Sequence, residues 1–477
     1  MLCPGFCLSL VLAWSAGGLP AAAQENGSAA AADGPTLPPD LALLHEAEEQ
    51  VRRQRYARAI ELYTKLAELY PDKPAGRAGH SRSRPTAYLG WSDVVRSGPS
   101  ANRVDVVLMG DGYQGNDIDQ RMFDDLAARV PERFAANAVL AEYLDYHDFV
   151  RINLRSRDSR PPPPEGTLET ALGSRLYGKT PSEVQVDRGR AWSYLGELPD
   201  HDNLVLAWVR HAESGNASGG LVCLGTAWEA WSVHFWAHAI AGLGDETPAW
   251  MHLVGDDLPR PNVANAGIAR EVPWKHWLDA GARRVAIFEG ADGKDFGAFR
   301  PAPVCVMSGG GEFCPVCREA LVLAIHRYVD PIDACRPAAH PLAAEDPGGD
   351  STAIVAREPL ELSVVPMQPR THRLDVHFFV LPTGAVPPPP VPPDDGRVWN
   401  DRRARGPLPE LDVLPIESAA QPDGSHRFRF DPAEWPRGTY RVVCRVRDAA
   451  RVGEETWVLA DEHGLLESER GWWVRVP

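Results

Sequence analysis

The chain has no surplus of basic residues. Its 477 residues carry 49 Lys and Arg against 65 Asp and Glu, a formal charge of −16 with a sequence pI near 5.4. Nothing is left over to neutralise phosphates, which excludes nucleic acid and anionic membrane surfaces as partners. After the first two dozen residues no stretch is long and apolar enough to span a bilayer, so no membrane span is expected once a leader is removed. Cysteine is sparse, 8 in all, and Cys3 and Cys7 belong to that leader.

The rest of the composition is ordinary for folded protein, 44% apolar and 24% charged. A chain this long exceeds a single core and implies about three domains. Residues 1–23 form an apolar run closing on Ala21-Ala22-Ala23, a small-residue cleavage pattern, although the run lacks the usual Lys or Arg at its start. A signal peptide cleaved after Ala23 is expected, with a secreted, periplasmic or cell-envelope destination. Residues 24–40, rich in Ala, Gly and Pro, read as a disordered leader to the mature chain. Export leaves an even set of six cysteines, Cys223, Cys305, Cys314, Cys317, Cys335 and Cys444. In an oxidising compartment structural disulfides are the favoured reading for Cys305, Cys314, Cys317 and Cys335, ahead of zinc or redox work by Cys314-Pro-Val-Cys317, and the pairing is left open.

Residues 41–75 show two amphipathic helical segments, with Tyr56, Ala57, Ala59, Ile60 and Tyr63 at three- and four-residue steps and Tyr70-Pro71-Asp72 at the end. They resemble one tetratricopeptide hairpin, which cannot bury its own face and must dock on its neighbouring domain or on a protein partner. A polar stretch at 76–102 reads as a linker. In 103–340, apolar runs at Val104–Met109, Phe149–Leu154 and Asn203–Val209 read as strands, alternating with helical patterns at 117–136 and Trp228–Ala241, the signature of a mostly parallel or mixed sheet. Pro161 to Pro164 mark a loop. From Glu358 onward the period changes to two: Leu374, Val376, Phe378 and Val380, then Tyr440, Val442, Cys444 and Val446, alternate with polar neighbours. Residues 355–477 are therefore expected to be an all-β sandwich of immunoglobulin-like type, with the proline-rich Val386–Asp395 as an exposed loop.

The residues with the most chemical content are His234-Phe235-Trp236-Ala237-His238. Positions i and i+4 share a helix face, so both imidazoles can reach one Zn²⁺. With 15 His in the chain, chance alone supplies roughly 0.5 such pairs, so the spacing by itself decides little. Zinc peptidases read His-Glu-x-x-His, where the Glu takes a proton from the attacking water. Phe235 has no proton chemistry.

A series of motifs in order gives the pair its context. They are Gly110-Asp111-Gly112-Tyr113, HFWAHAIAGLGDE at His234–Glu246, Pro261-Asn262-Val263, Trp274-Lys275, FEGA at Phe288–Ala291, FRP at Phe299–Pro301, Cys305-Val306-Met307, and FCPVCREA at Phe313–Ala320. Through these the chain resembles the IgA-peptidase family of secreted zinc metallopeptidases, metallopeptidase family 64, over about residues 103–335. The resemblance implies an α/β (α+β) zincin-like metallopeptidase domain, preceded by the short helical hairpin and followed by the β-sandwich. It implies zinc as cofactor, held by His234 and His238 with Asp245 as third ligand once Gly242 lets the helix end and the chain turn back. Where the family has HExGHxxxGLxDEY, this chain has HFWAHAIAGLGDET: Phe235 stands at the general base, Ala237 at the small Gly and Thr247 at the Tyr. Glu246 and Glu289 are the candidate substitutes for the base, Met307 is a candidate for the turn beneath the metal, and Lys275 and Arg300 are candidates for binding a substrate carboxylate. Losing the base alone is worth about 10² to 10⁴ in rate. The expectation is thus a pseudopeptidase that binds a peptide or protein ligand. An active zinc endopeptidase with an atypical base, and a scaffold or surface adhesion protein, are the alternatives.

Overall fold

Alternation along the central strands organises the fold. The computed structural model describes residues 37–160, 169–177, 183–213, 215–248, 260–340, 353–383, 406–418 and 420–477. The signal peptide, nearly all of the 24–40 leader, the Pro161–Pro164 loop and the proline-rich Val386–Asp395 run lie outside these residues. Six strands form one sheet in the order Ala87–Val95, His147–Arg155, Val104–Asp111, Val205–Val209, Leu221–Gly225, Gly215–Ser218. The four inner strands are parallel and both edges run antiparallel. A mixed sheet is what the alternating strand and helix patterns foretold. Because side chains alternate across a strand, Val104, Val106, Leu108, Phe149, Trp208 and Leu224 feed the core on one face. Val107, Met109, Val150, Val205 and Val209 feed a separate core on the other.

The first face is covered by the helices Asp117–Ala135, Ser232–Ala241 and Pro315–Tyr328, the second by Arg188–Leu195. The Asp117–Ala135 helix begins where expected because Asn116 caps it, its side chain accepting from the Asp119 N–H at 2.9 Å.

The stretch read as a linker is more ordered than its polarity suggested. It contains the helix Pro74–Arg82 and the strand Ala87–Val95, which pairs with His147–Arg155. An edge strand needs apolar residues only where it is covered, and only its first four residues, Ala87 to Gly90, are buried. Helices Pro39–Arg52 and Tyr56–Leu69 form the hairpin, and it docks on its own chain. The Tyr56 hydroxyl bonds Asp124 and accepts from Asn153 Nδ2 at 3.1 Å, the Ala57 N–H donates to Asp117 at 2.8 Å, and the Tyr63 hydroxyl donates to the Leu89 carbonyl at 3.0 Å.

The C-terminal part is β-rich. A three-stranded sheet, Ile332–Arg336, Leu360–Pro366 and His426–Phe430, lies against a five-stranded sheet built on Asp375–Pro382, Gly438–Arg447 and Glu467–Val476. Leu362, Val364 and Phe430 from the first share an apolar layer with Val376, Phe378, Val442, Cys444 and Trp472 from the second. Phe378 stacks on Phe428 with ring centres 5.4 Å apart. The two-residue periodicity of both expected runs is realised as an inward-facing row. All parts from Asp40 to Pro477 form one compact unit.

Candidate metal centre

The helix Ser232–Ala241 follows the strand Leu221–Gly225 and a short 3₁₀ segment, Thr226–Trp231. Trp236 is fully buried beside Phe134 and His147, whereas Phe235, 9% exposed, sets its ring against both His234 and His238, 5.0 and 5.9 Å between ring centres. A methyl group added at Gly215 on the antiparallel edge strand would collide with the Phe235 ring at 2.7 Å, so one edge of the ring packs closely on that strand. His234 and His238 stand on the third face. The helix stops at Gly242, which takes φ 63, a left-handed conformation glycine adopts freely, and its N–H returns to the His238 carbonyl. The chain then reverses, as the sequence suggested, and brings Asp245 back to the histidines.

The three side chains converge. The Nε2 atoms of His234 and His238 lie 3.0 Å apart, and Asp245 Oδ1 sits 3.1 Å from the first and 3.4 Å from the second. Each ring is oriented from behind by a backbone carbonyl: His234 Nδ1 faces Val306 O at 3.1 Å, and His238 Nδ1 faces Leu243 O at 2.6 Å. A carbonyl can only accept, so each Nδ1 carries a proton, and each Nε2 is turned toward the shared point. Two imidazole nitrogens and a carboxylate oxygen thus meet within 3.4 Å of one another, a donor set that a shared cation suits. The described residues include two groups of ligand atoms able to hold a metal ion, and this is one. Burial disfavours charge on Asp245, but the two histidines beside it hold its carboxyl well below the usual range.

The remaining candidates fall into place around this centre. Met307 is fully buried in the Val306–Ser308 turn, whose Val306 carbonyl orients His234 and whose Met307 carbonyl accepts from the Glu246 N–H at 2.8 Å. Thr247 is buried and its hydroxyl has no hydrogen-bond partner. Neither proposed substitute base is at the histidines. Glu246 turns to the opposite side of the chain from Asp245, as successive residues of an extended segment do, and meets the thiols of Cys314 and Cys317. Glu289 is exposed and accepts from the Gly297 N–H across its own hairpin at 3.0 Å. Lys275 pairs with Asp279 one helical turn away. Arg300 spends its guanidinium on the backbone carbonyls of Glu289, Gly290 and Ala302. Both are tied up locally, the first on the surface and the second within a hairpin, rather than presented as carboxylate binders.

The expectation of disulfides is not met. All six described cysteines are free thiols. Cys305, Cys314 and Cys317 gather with Glu246, whereas Cys335 lies on a strand of the three-stranded sheet. The fold separates Cys335 from the other three although all four are close in sequence.

Two residues that matter here carried no legible signal. Asn262 is fully buried and clamps the returning segment, accepting from Gly244 N–H at 2.7 Å and donating to Gly244 O at 2.9 Å and Glu246 Oε1 at 3.0 Å. It lay inside a motif, but nothing in that motif specified this clamp. Asp292, at φ 52 in the turn of the Phe288–Arg300 hairpin, is 6% exposed and donates its N–H to the Asp245 carbonyl at 2.8 Å. Burial, opposed by Arg260 and reinforced by the charge of Asp245, raises its carboxyl above the ordinary value, and it also feels His238.

Comparison with models of known protein families gives no match. A search of curated proteins finds no significant similarity either.

Proposed function

We propose that this chain is an exported, metal-binding pseudopeptidase: a zincin-like domain that keeps a zinc site and binds a peptide or protein ligand without cutting it, followed by an immunoglobulin-like sandwich. The observation that carries this reading is the convergence of His234, His238 and Asp245 beside a helix position occupied by Phe235. Zinc suits two imidazoles and a carboxylate, and three protein ligands leave a fourth position open. Bound there, zinc would supply Lewis acidity and a water more acidic than bulk. What this chain's own residues add is binding and orientation: the Val306 and Leu243 carbonyls fix both rings, and Asn262 fixes the segment bearing Asp245. Neither Phe235 nor Glu246 can accept a proton at that face, the first by chemistry and the second by direction.

One observation favours a second reading. Asp292 is a buried carboxylate, raised above its ordinary value by burial, whose backbone N–H bonds the Asp245 carbonyl, which makes it a candidate for an atypical base in a working endopeptidase. Metal analysis of the purified protein, with hydrolysis of a general protein substrate measured with and without chelator, decides between the two. The pseudopeptidase reading expects bound zinc, its loss in His234→Ala, and no chelator-sensitive cleavage. Cleavage by the unaltered protein that disappears in Asp292→Asn would establish the second reading instead.

A further inference from the structure

The second group of convergent ligand atoms lies on the other side of the same dipeptide. A carboxylate oxygen of Glu246 and the sulfurs of Cys305, Cys314 and Cys317 all lie within 4.8 Å of one another. The Cys317 thiol is 2.9 Å and the Cys314 thiol 3.7 Å from Glu246 Oε1. Exposure is 0% for Glu246, Cys305 and Cys317 and 5% for Cys314, so the cluster is closed to solvent. Around zinc, with metal–sulfur bonds of about 2.3 Å and metal–oxygen bonds of about 2.0–2.2 Å, the edges of a tetrahedron are roughly 3.5–3.8 Å. The group is compact enough to close on one such ion: of its two sulfur–oxygen separations, 3.7 Å matches that edge and 2.9 Å is shorter.

Local structure delivers the ligands in a manner suited to a metal. Cys314 is the N-cap of the helix Pro315–Tyr328 and Cys317 lies in its first turn, so the two sulfurs of Cys314-Pro-Val-Cys317 face the same point. Cys305 immediately precedes the Val306–Ser308 turn, and its sulfur accepts the Cys314 N–H at 3.3 Å, a contact that stabilises a thiolate. The start of the helix adds a favourable field for gathered negative charge. On the fourth side, Asn262 and the Met307 carbonyl hold Glu246 by its side chain and its backbone.

A second, independent observation points to an occupant. Glu246 Oε2 is fully buried and has no hydrogen-bond partner. An unsatisfied buried oxygen of this kind costs about 1–3 kcal/mol or more, and a directly bound cation removes that cost. A disulfide would not: pairing two of the three sulfurs leaves the third thiol and both the burial and the orphan oxygen of Glu246 unaccounted for.

We propose that Glu246, Cys305, Cys314 and Cys317 form a four-ligand structural site for a thiophilic divalent cation, zinc, distinct from the site of His234, His238 and Asp245. With every position filled by protein, it has no place for substrate, and its task is mechanical. Because Asp245 and Glu246 are consecutive, a metal holding Glu246 also sets the direction of Asp245. The site stands whether or not the histidines hold a metal.

Cobalt substitution of the full-length protein tests this. Cobalt bound to thiolates gives an intense near-ultraviolet charge-transfer absorption that a site of histidines and a carboxylate does not. The expected result is that absorption in the unaltered protein, its retention in His234→Ala, and its loss in the double variant Cys314→Ser and Cys317→Ser. In the zinc-loaded, unaltered protein a mercurial thiol reagent should release one zinc per chain from this site, a readout that needs no variant to fold. Absence of the charge-transfer absorption, or an unreduced intact mass showing a disulfide between any two of the three cysteines, overturns the proposal. Loss of metal from His234→Ala with the absorption unchanged bears only on the histidine site.

Discussion

Replacing Phe235 by Glu asks whether one missing carboxylate accounts for the proposed silence of the histidine site. The ring centre of Phe235 lies 5.0 Å from that of His234 and 5.9 Å from that of His238. A Glu side chain carries its carboxylate about as far along the side chain as the ring centre it replaces, which places an acceptor beside the histidine face rather than against the metal ligands. General-base catalysis contributes about 10² to 10⁴ in rate, so cleavage of a fluorescent protein substrate should rise by at least about a hundredfold over the unaltered chain and should vanish with chelator. The same change has a cost. Phe235 is 9% exposed and packs on Gly215, and truncating a buried Phe typically loses about 3–5 kcal/mol. The variant is therefore expected to unfold at lower denaturant, and activity must be measured where near-ultraviolet circular dichroism shows it folded. A folded, zinc-loaded Phe235→Glu protein that cleaves no faster than the unaltered chain would refute the argument, since the absent base would then not be the limiting defect.

Three further outcomes are expected. The C-terminal sheets are tied to the α/β part by a buried network in which Asp448 meets His326 at 3.2 Å, His372 at 2.8 Å and the Tyr143 hydroxyl at 3.0 Å, while His372 also meets Glu142 at 2.8 Å. Burial opposes charge on His372 but Asp448 and Glu142 raise its pKa, and burial opposes charge on Asp448 but the histidines hold it well below the usual range. The His372 contribution is full below its unfolded value of about 6.5 and is lost as pH rises through the higher folded one. The Asp448 contribution is present above its unfolded value of about 3.9 and is lost as pH falls through the lower folded one. Urea unfolding should therefore show this network contributing most between these limits. Asp448→Asn should cost about 3–5 kcal/mol there, and a cost that does not vary from pH 5 to pH 9 would sink the assignment. Gly242→Ala meets no atom within 4 Å but must hold a left-handed backbone, so it should cost about 1–2 kcal/mol in denaturant unfolding with metal content retained. Asn262→Leu should cost more than that and lower zinc content, because it releases Gly244 and Glu246 together; full zinc retention would show that the clamp is not needed.

Much of the fold was legible because it depends on local periodicity. Val104–Met109 emerged as the strand Val104–Asp111, residues 117–136 as the helix Asp117–Ala135, and the alternating runs after Glu358 as inward-facing strand rows. The helix at Pro74–Arg82 and the strand at Ala87–Val95 were illegible because polar residues and glycines there give no period, and tertiary cover rather than propensity orders them. At the site, two histidines four residues apart and a glycine at the helix end determined a shared face and a chain reversal. These are properties of helix geometry and of a residue without Cβ, and they hold wherever the segment sits.

Direction and company were decided in three dimensions. Nothing in Asp245-Glu246 says that the first carboxylate joins two imidazoles and the second joins three thiols. That division follows from the Met307 carbonyl holding the Glu246 backbone while Asn262 holds Gly244 and the Glu246 side chain. Likewise the spacing of Cys305, Cys314, Cys317 and Cys335 favoured disulfides, whereas the packing of the Pro315–Tyr328 helix against the Val306–Ser308 turn gathers three of them and carries the fourth away on a strand. Composition and periodicity are one-dimensional and set which elements form. Which side chains meet is set by burial of those elements against one another, a choice made only once the core closes.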